Sequence, residues 1–291
     1  MKCVLTLIAF LVSMAVARAE DGVFDSNGVP IRYLTEGQGE AVVLIHGWLS
    51  DASMWGTDGK GNAKLKPLPG FRLIALDCRG HGKSGKPHEE SRYGAEMASD
   101  IVRLLDHLKI RRAHLVGYSM GAFIAGKVAV EHPDRVISVV YGGQAPILQN
   151  PRSTPSAEVE ALAEAAARGT DLGTYIIAIT PPGRPKPSMA TANAMAQILF
   201  AGKDVKALVA AGRSLGKLAV APEDVKRCKV PSLFVYGGNE GESVRAGIKA
   251  VLQLLPNAKE QVIAGADHMS TMRHPEFGQA IRDFLKPNAC G

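Results

Sequence analysis

Cysteine is scarce in this sequence. Four cysteines occur in 291 residues, namely Cys3, Cys78, Cys228 and Cys290. Their spacing does not match the paired spacings of a structural zinc site, so they predict no metal site. If Cys3 is removed with an N-terminal leader, three cysteines remain, and an odd number leaves at least one unpaired or bonded between chains. The pairing of the other three stays open.

Beyond its N-terminus the sequence also lacks long apolar runs and clusters of basic residues. No segment after residue 19 is long and apolar enough to span a bilayer, so we expect no stable membrane insertion of the mature chain. The formal net charge is +6, but the basic pairs Arg111-Arg112 and Lys226-Arg227 are isolated. We therefore expect no nucleic-acid partner and interpret these pairs as a solvated basic surface. Hydrophobic residues (46%) and charged residues (21%) are in the proportions of an ordinary globular protein.

The N-terminal nineteen residues have a composition of their own. Lys2 supplies a positive start, a largely apolar run covers Val4–Val16, and the segment ends at Ala17-Arg18-Ala19. These features are typical of a secretory signal peptide cleaved after Ala19, which predicts a periplasmic or secreted protein. A membrane anchor is the alternative, but the uncharged run of about 15 residues is shorter than the ~20 that a spanning helix needs. Cleavage removes Lys2 and Arg18 and lowers the net charge to +4.

Segments typical of strands alternate along the chain with segments typical of helices. Apolar or alternating runs predict strands at Ile31–Leu34, Ala41–Ile45, Arg72–Leu76, Ala113–Gly117, Val136–Tyr141, Ser232–Tyr236 and Glu260–Ile263. Helical periodicity predicts helices at Ala95–Leu108, Met120–His132, Ser243–Leu255 and Pro275–Leu285. This alternation indicates βαβ units. The predicted fold class is therefore α/β, with a mostly parallel central sheet flanked by helices.

One long region interrupts this alternation. Residues 144–222 are rich in alanine, with helical pieces predicted at Ala157–Arg168, Ala190–Phe200 and Val205–Gly216. Because ~75 residues is long for a single crossover, we expect a helical cap inserted between two sheet strands; ordinary crossover helices are the alternative. The predicted organisation is a signal peptide (1–19), a first core part (20–143), the cap (144–222) and a second core part (223–291).

The segment GYSMG, residues 117–121, lies between a predicted strand and a predicted helix. A serine hydroxyl needs exposure to a base before it acts as a nucleophile, and a sharp strand-to-helix turn exposes it. Glycines two residues before and after the serine relieve the crowding of such a turn. The motif therefore predicts Ser119 as a catalytic nucleophile.

A serine nucleophile of this kind needs a histidine base later in the chain. The candidates are His132, His268 and His274. His132 precedes a proline at a helix end, and His274 precedes a proline at a helix start. His268 directly follows the last predicted strand, at the edge where the carboxyl ends of the strands meet, and we predict it as the base. A metal site formed by His268, His274 and Asp267 is the alternative, but the sequence does not clearly place these three ligands together.

The acid of the triad is expected after the strand SLFVY, in the segment Gly237–Glu242. A carboxylate there can accept a hydrogen bond from the histidine ring and hold its tautomer. Glu240 is the first choice. Glu242 is the fallback, and its simpler interpretation is a carboxylate favoured at the start of a helix.

Two backbone donors are needed to hold an oxyanion. The N–H of Met120, at the start of the helix after the nucleophile, is one candidate. The other is the N–H of Trp48, in the loop His46-Gly47-Trp48 that follows a predicted strand. His46 precedes the serine, and we expect it to support this loop by hydrogen bonding.

Four segments taken together resemble the α/β-hydrolase superfamily, in its branch with a helical cap. They are HGW at 46–48, DCRGHGKS at 77–84, GYSMG at 117–121 and GADHMS at 265–270, and the resemblance covers about residues 27–286. It implies the α/β-hydrolase fold with nucleophile Ser119, base His268 and an oxyanion loop at residues 46–48. The family commonly has an aspartate where Glu240 stands, although glutamate serves in some relatives.

Two features of these segments argue against other chemistries. GHGKS resembles a phosphate-binding loop, but that motif needs a glycine where Asp77 stands, and no helix is predicted directly after Ser84. Nucleotide binding is therefore not expected. Relatives that cleave carbon–halogen bonds use an aspartate at the turn where this chain has Ser119.

The sequence thus predicts an exported serine hydrolase that acts on a small-molecule carboxylic ester with a small to medium acyl group, without a cofactor. The activities left open on the same triad are C–C bond, lactone or amide hydrolysis and cofactor-free perhydrolysis, since fold does not fix substrate. A catalytically inactive, capped ligand-binding protein is the alternative of another class, and the glutamate at position 240 is its one hint.

Overall fold

Eight strands form one mixed β-sheet at the centre of the molecule. The computed structural model describes residues 20–58, 60, 63–149, 156–168, 172–180 and 183–286. The strands are β1 (Glu20–Asp25), β2 (Pro30–Gly37), β3 (Glu40–Ile45), β4 (Phe71–Leu76), β5 (Ala113–Tyr118), β6 (Val136–Gly142), β7 (Ser232–Gly237) and β8 (Lys259–Ile263). Their order across the sheet is β1-β2-β4-β3-β5-β6-β7-β8. β2 is antiparallel to β1 and β4, and all other neighbours are parallel.

Helices cover both faces of this sheet and fill the connections between its strands. They are α1 (Ala95–His107), α2 (Met120–Glu131), α3 (Ala157–Ala167), α4 (Gly173–Ala178), α5 (Met189–Phe200), α6 (Val205–Arg213), α7 (Pro222–Arg227), α8 (Glu242–Leu254), α9 (His268–Thr271) and α10 (Pro275–Leu285). The predicted α/β class with a mostly parallel sheet is confirmed. None of the helices in the described ranges is long and apolar enough to cross a membrane.

The central strands are buried because both faces of the sheet are covered. On β3, Val43 and Ile45 pack into one apolar cluster, while Val42 and Leu44 pack into the cluster on the other face. This alternation follows from the two-residue period of a strand, and burial on both sides explains why these segments are apolar throughout. The sheet is therefore a rigid layer, and its carboxyl edge carries the loops considered below.

Helices α3 to α6 form an insertion between β6 and β7, with an apolar cluster of its own. Tyr175 and Phe200 pack edge to face at its centre, with ring centroids 5.5 Å apart. The two ends of the insertion meet where Val220 N–H donates to Ile147 O and Gln149 N–H donates to Val220 O. A short parallel β-bridge between Leu148 and Val220 thus joins the two ends of the insertion.

Several elements are absent from the sequence-based assignment. These are the edge strand β1 and the short helices α4, α7 and α9. The predicted helix Val205–Gly216 ends at Arg213, and a separate 3-10 turn covers Leu215–Leu218.

Cys78 and Cys228 are both free thiols. The predicted signal peptide (1–19) and Cys290 lie outside the described residues.

Candidate active site

Ser119 lies at a strained turn between β5 and α2. Its backbone has φ 55° and ψ −116°, a conformation that side chains other than glycine rarely adopt. The turn is held on both sides, because Ser119 N–H donates to Gly142 O at 2.8 Å and Ser119 O accepts from Ala122 N–H at 2.9 Å. Such strain persists only where the surrounding structure enforces it, and it is concentrated at functional sites.

The two glycines of the GYSMG segment are required by close backbone contacts. A Cβ on Gly117 would lie 2.1 Å from the carbonyl oxygen of Gly121. A Cβ on Gly121 would lie 2.0 Å from the carbonyl oxygen of Ile45, at the end of β3. Both distances are far below van der Waals contact with backbone atoms that cannot rotate away. Glycine at these positions therefore lets the turn form against the neighbouring strand.

His268 and Glu240 form a hydrogen-bonded pair at the same edge of the sheet. Glu240 follows β7 and is 4% exposed, and His268 is the first residue of α9, after β8. His268 Nδ1 lies 3.1 Å from both carboxylate oxygens of Glu240. Since the carboxylate accepts, Nδ1 is the donor, and Nε2 keeps its lone pair in the neutral ring. The side chain of His268 is one-third exposed and so accessible.

The residues that the sequence offered as alternative acid, base or metal ligands lie at the ends of helices. Glu242 is exposed at the first position of α8. His274 is the N-cap of α10 and accepts from the N–H of Glu276. His132 is the C-cap of α2. Asp267 is the N-cap of α9, where its carboxylate accepts from two backbone N–H groups, and the described residues form no group of three or more metal-ligating side chains that could hold a metal ion.

Tyr118 connects the turn of Ser119 to the segment of His268, a contact that sequence reasoning missed. Its hydroxyl donates to the carbonyl oxygen of His268, 150 residues away in the chain. Its ring lies 5.3 Å from the His268 ring and packs edge to face on Phe277. Burial raises the pKa of the Tyr118 hydroxyl, which keeps it a donor. The position before the serine carries no sequence signal for this role.

The loop after β3 lies directly against the serine turn. A Cβ added to Gly47 would lie 3.3 Å from Ser119 Cβ. His46 is fully buried and supports the loop as expected, because its Nε2 accepts from Cys78 N–H at 2.9 Å while Nδ1 lies 2.8 Å from Gly47 O. Burial lowers the pKa of His46, which favours the neutral ring these contacts require.

Two backbone N–H groups near Ser119 have no acceptor within the described residues. Met120 is the first residue of α2, so its N–H has no partner inside the helix. The hydrogen bonds of the described chain also include none from the N–H of Trp48, whose indole instead donates to Leu208 O in the insertion at 2.9 Å. These are the two donors that the sequence predicts for an oxyanion, and both remain available to a ligand.

The RGHGKS segment (residues 79–84), together with Asp77 before it, serves the structure of the neighbouring loops. Asp77 accepts from the backbone N–H groups of Ala52 and Lys83 at 2.8 Å and pairs with Arg32. Ser84 Oγ donates to Asp77 O at 2.6 Å. Ser84 Oγ also accepts from the Arg32 N–H at 2.9 Å, so its hydroxyl holds two backbone segments together.

A polar cavity of about 250 Å³ lies beside these loops and not at Ser119. Asp51, His81 and Lys203 contribute to its walls, whereas Ser119 and His268 do not. His81 Nε2 is buried and has no hydrogen-bond partner among the residues that the structure describes. Burial together with the neighbouring His46 lowers the pKa of His81 to about 3. The cavity is therefore separate from the Ser119 turn.

Known proteins resemble this chain in sequence and in fold. Residues 40–170 match the family model of the alpha/beta hydrolase fold. A putative 2-succinyl-6-hydroxy-2,4-cyclohexadiene-1-carboxylate synthase of Bacillus subtilis (strain 168) is 26% identical over 284 residues, covering 89% of this chain and 96% of the relative. A pimeloyl-[acyl-carrier protein] methyl ester esterase of Yersinia enterocolitica is 25% identical over 257 residues, covering 86% and 95%.

Solved structures give the same result for the fold. A carboxylesterase structure from Nitrososphaera gargenis superimposes with a TM-score of 0.72 at 22% identity, covering 91% of this chain and 97% of that one. The family match, the relatives that span nearly the whole chain and the eight-stranded sheet with its serine turn agree with one another. The chain therefore has the α/β-hydrolase fold, and its residues 40–170 are similar to the family model of that fold.

Proposed function

We propose that this protein is a serine esterase that uses Ser119 as nucleophile, His268 as base and Glu240 as the acid of the triad. The observation that carries the proposal is the pairing of His268 Nδ1 with the buried carboxylate of Glu240, on the same sheet edge as the strained Ser119 turn. A buried acid on Nδ1 orients the ring and leaves Nε2 free to take a proton.

The proposed reaction has two halves. His268 Nε2 takes the hydroxyl proton of Ser119 as Oγ attacks the ester carbonyl carbon, and the N–H groups of Trp48 and Met120 hold the oxyanion. The intermediate collapses when His268 gives that proton to the leaving alcohol, which leaves an acyl group on Ser119. Water, deprotonated by His268, then attacks the acyl-enzyme and releases the acid.

The serine and the histidine must approach each other for this reaction. The hydrogen bonds of the described residues do not include one between Ser119 Oγ and His268. Catalytic hydrogen bonds are often long in the absence of substrate and shorten in the reacting complex. The connection of both segments through Tyr118 supports such an approach, because it holds the two loops at one edge of the sheet.

Ester cleavage is proposed ahead of the other reactions that this triad can perform. A relative that is similar over nearly the whole chain is named a methyl ester esterase, and the acyl group is expected to be small to medium. Helices α3 to α6 are proposed to form a cap, since the Trp48 indole donates to Leu208 O and the apolar cluster of the insertion includes Trp48. C–C bond, lactone or amide substrates and perhydrolysis remain the alternatives, as does an inactive ligand-binding protein.

We further propose that the chain is exported through cleavage after Ala19, which places the enzyme in the periplasm or outside the cell. The mass of the protein recovered from the exported fraction tests this proposal. A mature chain that begins at Glu20 supports it, and a full-length chain retained in the cell contradicts it.

Hydrolysis of p-nitrophenyl esters of increasing acyl length tests the proposed activity. The wild type is compared with Ser119→Ala, whose fold is checked by circular dichroism. We expect turnover by the wild type, with a preferred acyl length, and a loss of about 10⁴-fold or more in kcat for the variant. Equal rates for the two proteins, or no turnover of any ester by folded wild type, would contradict the proposal.

A further inference from the structure

Helix α5 of the insertion exposes an uncharged face to the outside. Its buried residues are Ala192, Ala196 and Phe200, which lie on one side of the helix. The opposite side is exposed, and we call it the α5 face; it consists of Ala190, Thr191, Ala194, Met195, Gln197 and Ile198. Ile198 is 81% exposed and Met195 48%.

Exposed large apolar residues are concentrated around this face. Seven such residues occur in the described part of the chain, and four of them belong to α5 or its surroundings. Besides Met195 and Ile198, they are Ile179 at the end of α4 and Met189 at the start of α5. Single exposed apolar side chains need no explanation, but a concentration on one element marks an interaction site.

The charged side chains of residues 172–203 all have one sign. The 32 residues from 172 to 203 contain no aspartate or glutamate, whereas they include Arg184, Lys186 and Lys203. Arg184 and Lys186 are exposed just before α5, and Lys206 is exposed shortly after it. Lys203 is partly buried, with Nζ donating to Leu199 O. The helix is thus uncharged along its length and has two exposed cations before it; after it, Lys206 follows Asp204, whose carboxylate pairs with His88.

Arg184 lies within electrostatic range of Asp267, the residue before His268. The pKa of the Asp267 carboxyl is lowered, chiefly by its hydrogen bond from Ser270, and the nearby charge of Arg184 contributes. Asp267 caps α9, whose first residue is His268. The next residue, Met269, is 70% exposed.

We propose that the α5 face docks on the surface of an anionic phospholipid bilayer. The bilayer surface has an apolar acyl-chain region beneath a layer of negatively charged headgroups. Apolar side chains on an uncharged helix face can insert toward the acyl chains, and cations beside the helix can pair with the headgroups. The helix would lie on the surface with Ile198 and Met195 in the headgroup region while Arg184 and Lys186 contact lipid phosphates. This is peripheral binding, in which no helix of the described residues crosses the membrane.

A second copy of this chain is a poorer occupant of the same face. A twofold dimer places identical surfaces against each other. Two α5 faces in contact would bring Arg184 and Lys186 of both copies together, and the carboxylate near Arg184, that of Asp267, already caps α9. Such like-charge contacts oppose association, whereas anionic headgroups neutralise the same cations.

Vesicle flotation tests the proposal. The full chain is expressed, its N-terminus is determined by mass spectrometry, and every variant is prepared in the same form. Vesicles of phosphatidylcholine alone are compared with vesicles containing 30% phosphatidylglycerol, at low and high NaCl. We expect the wild type to float only with the anionic vesicles, and less at high salt. We expect Met195→Ser/Ile198→Ser to weaken binding at least about tenfold, and Arg184→Gln or Lys186→Gln about fivefold each.

The matched control is Val23→Thr/Val262→Thr, which alters two exposed valines on the edge strands β1 and β8. This control should bind as the wild type does. Absence of wild-type binding to anionic vesicles at low salt overturns the proposal, and so does equal binding by all variants, which would reflect net charge alone. A dimer in light scattering that Ile198→Ser converts to a monomer would assign the face to a second copy instead.

Discussion

Both carboxylate oxygens of Glu240 lie 3.1 Å from Nδ1 of His268, and the carboxylate is buried while the ring is accessible. This arrangement fixes which ring nitrogen donates. Glu240→Gln presents an amide that can donate to Nδ1 and so favours the wrong tautomer. We expect kcat on p-nitrophenyl esters to fall about 10²- to 10⁴-fold, less than in Ser119→Ala. Glu242→Gln is the control and should be as active as the wild type; unchanged activity in Glu240→Gln would move the acid elsewhere.

The hydroxyl of Tyr118 is expected to position His268. Tyr118→Phe removes its hydrogen bond to His268 O but keeps the ring that packs on Phe277. Because such a bond contributes about 0.5–1.5 kcal/mol, kcat should fall about two- to tenfold with KM nearly unchanged. Tyr33→Phe, which loses a tyrosine contact to His107 on the far side of the sheet, is the control. A change in KM alone would mean that Tyr118 shapes substrate binding instead.

The buried His81 makes stability depend on pH. Burial and the neighbouring His46 lower the pKa of His81 to about 3, whereas the unfolded chain binds a proton near pH 6.5. The unfolded state therefore binds more protons between these values, so stability is complete above pH 6.5 and is lost as pH falls toward 3. At pH 5 the loss from His81 is about 2 kcal/mol.

Urea unfolding at pH 7.5 and pH 5 measures this loss. His81→Asn keeps a donor near the carbonyl oxygen of Arg79 but does not titrate, so its stability should change about 2 kcal/mol less between the two pH values than that of the wild type. His132→Asn, at the end of α2, should show the wild-type dependence. If wild type and His81→Asn lose the same stability between the two pH values, the His81 ring of the folded protein binds a proton at pH 5 as readily as it does in the unfolded chain, and the prediction is wrong.

Arg79, the first residue of the RGHGKS segment, forms a buried ion pair with Asp100 of α1. Arg79 Nε donates to Asp100 at 2.7 Å, and both side chains are almost fully buried. Arg79→Met would leave the carboxylate buried without its partner, and we expect a loss of about 3–5 kcal/mol in the free energy of unfolding. Arg213→Met, which breaks an exposed pair with Glu160, should cost far less, because solvent screens that pair. Similar losses in both variants would show that burial does not set the cost.

Features that depend on local sequence could be predicted. The strand-to-helix turn at Ser119 follows from glycines two residues away on each side, since the clashes they avoid involve backbone atoms within the motif and at Ile45. The central strands could be predicted because burial on both faces makes them apolar throughout. The position of His268 follows from the rule that parallel strands present their carboxyl ends at one edge.

Features that depend on distant contacts or on weak patterns could not be predicted. β1 (Glu20–Asp25) is an edge strand in which only Phe24 is buried, so it has no apolar run to identify it. α9 has four residues and is set by the capping of Asp267, which gives no helical period. The contact from Tyr118 to His268 joins positions 150 residues apart. A single sequence carries no signal for such a pair, because nothing local to Tyr118 requires it.

Labelling with a fluorophosphonate tests the central claim most directly, because the reagent bonds to a serine only where a base activates it. The labelled protein is digested and the modified peptide identified by mass spectrometry. We predict one label per chain on Ser119, none in Ser119→Ala, and labelling slowed at least about 100-fold in His268→Ala. Folded protein that takes up no label, or that takes it up on another residue, would contradict a serine mechanism at this site.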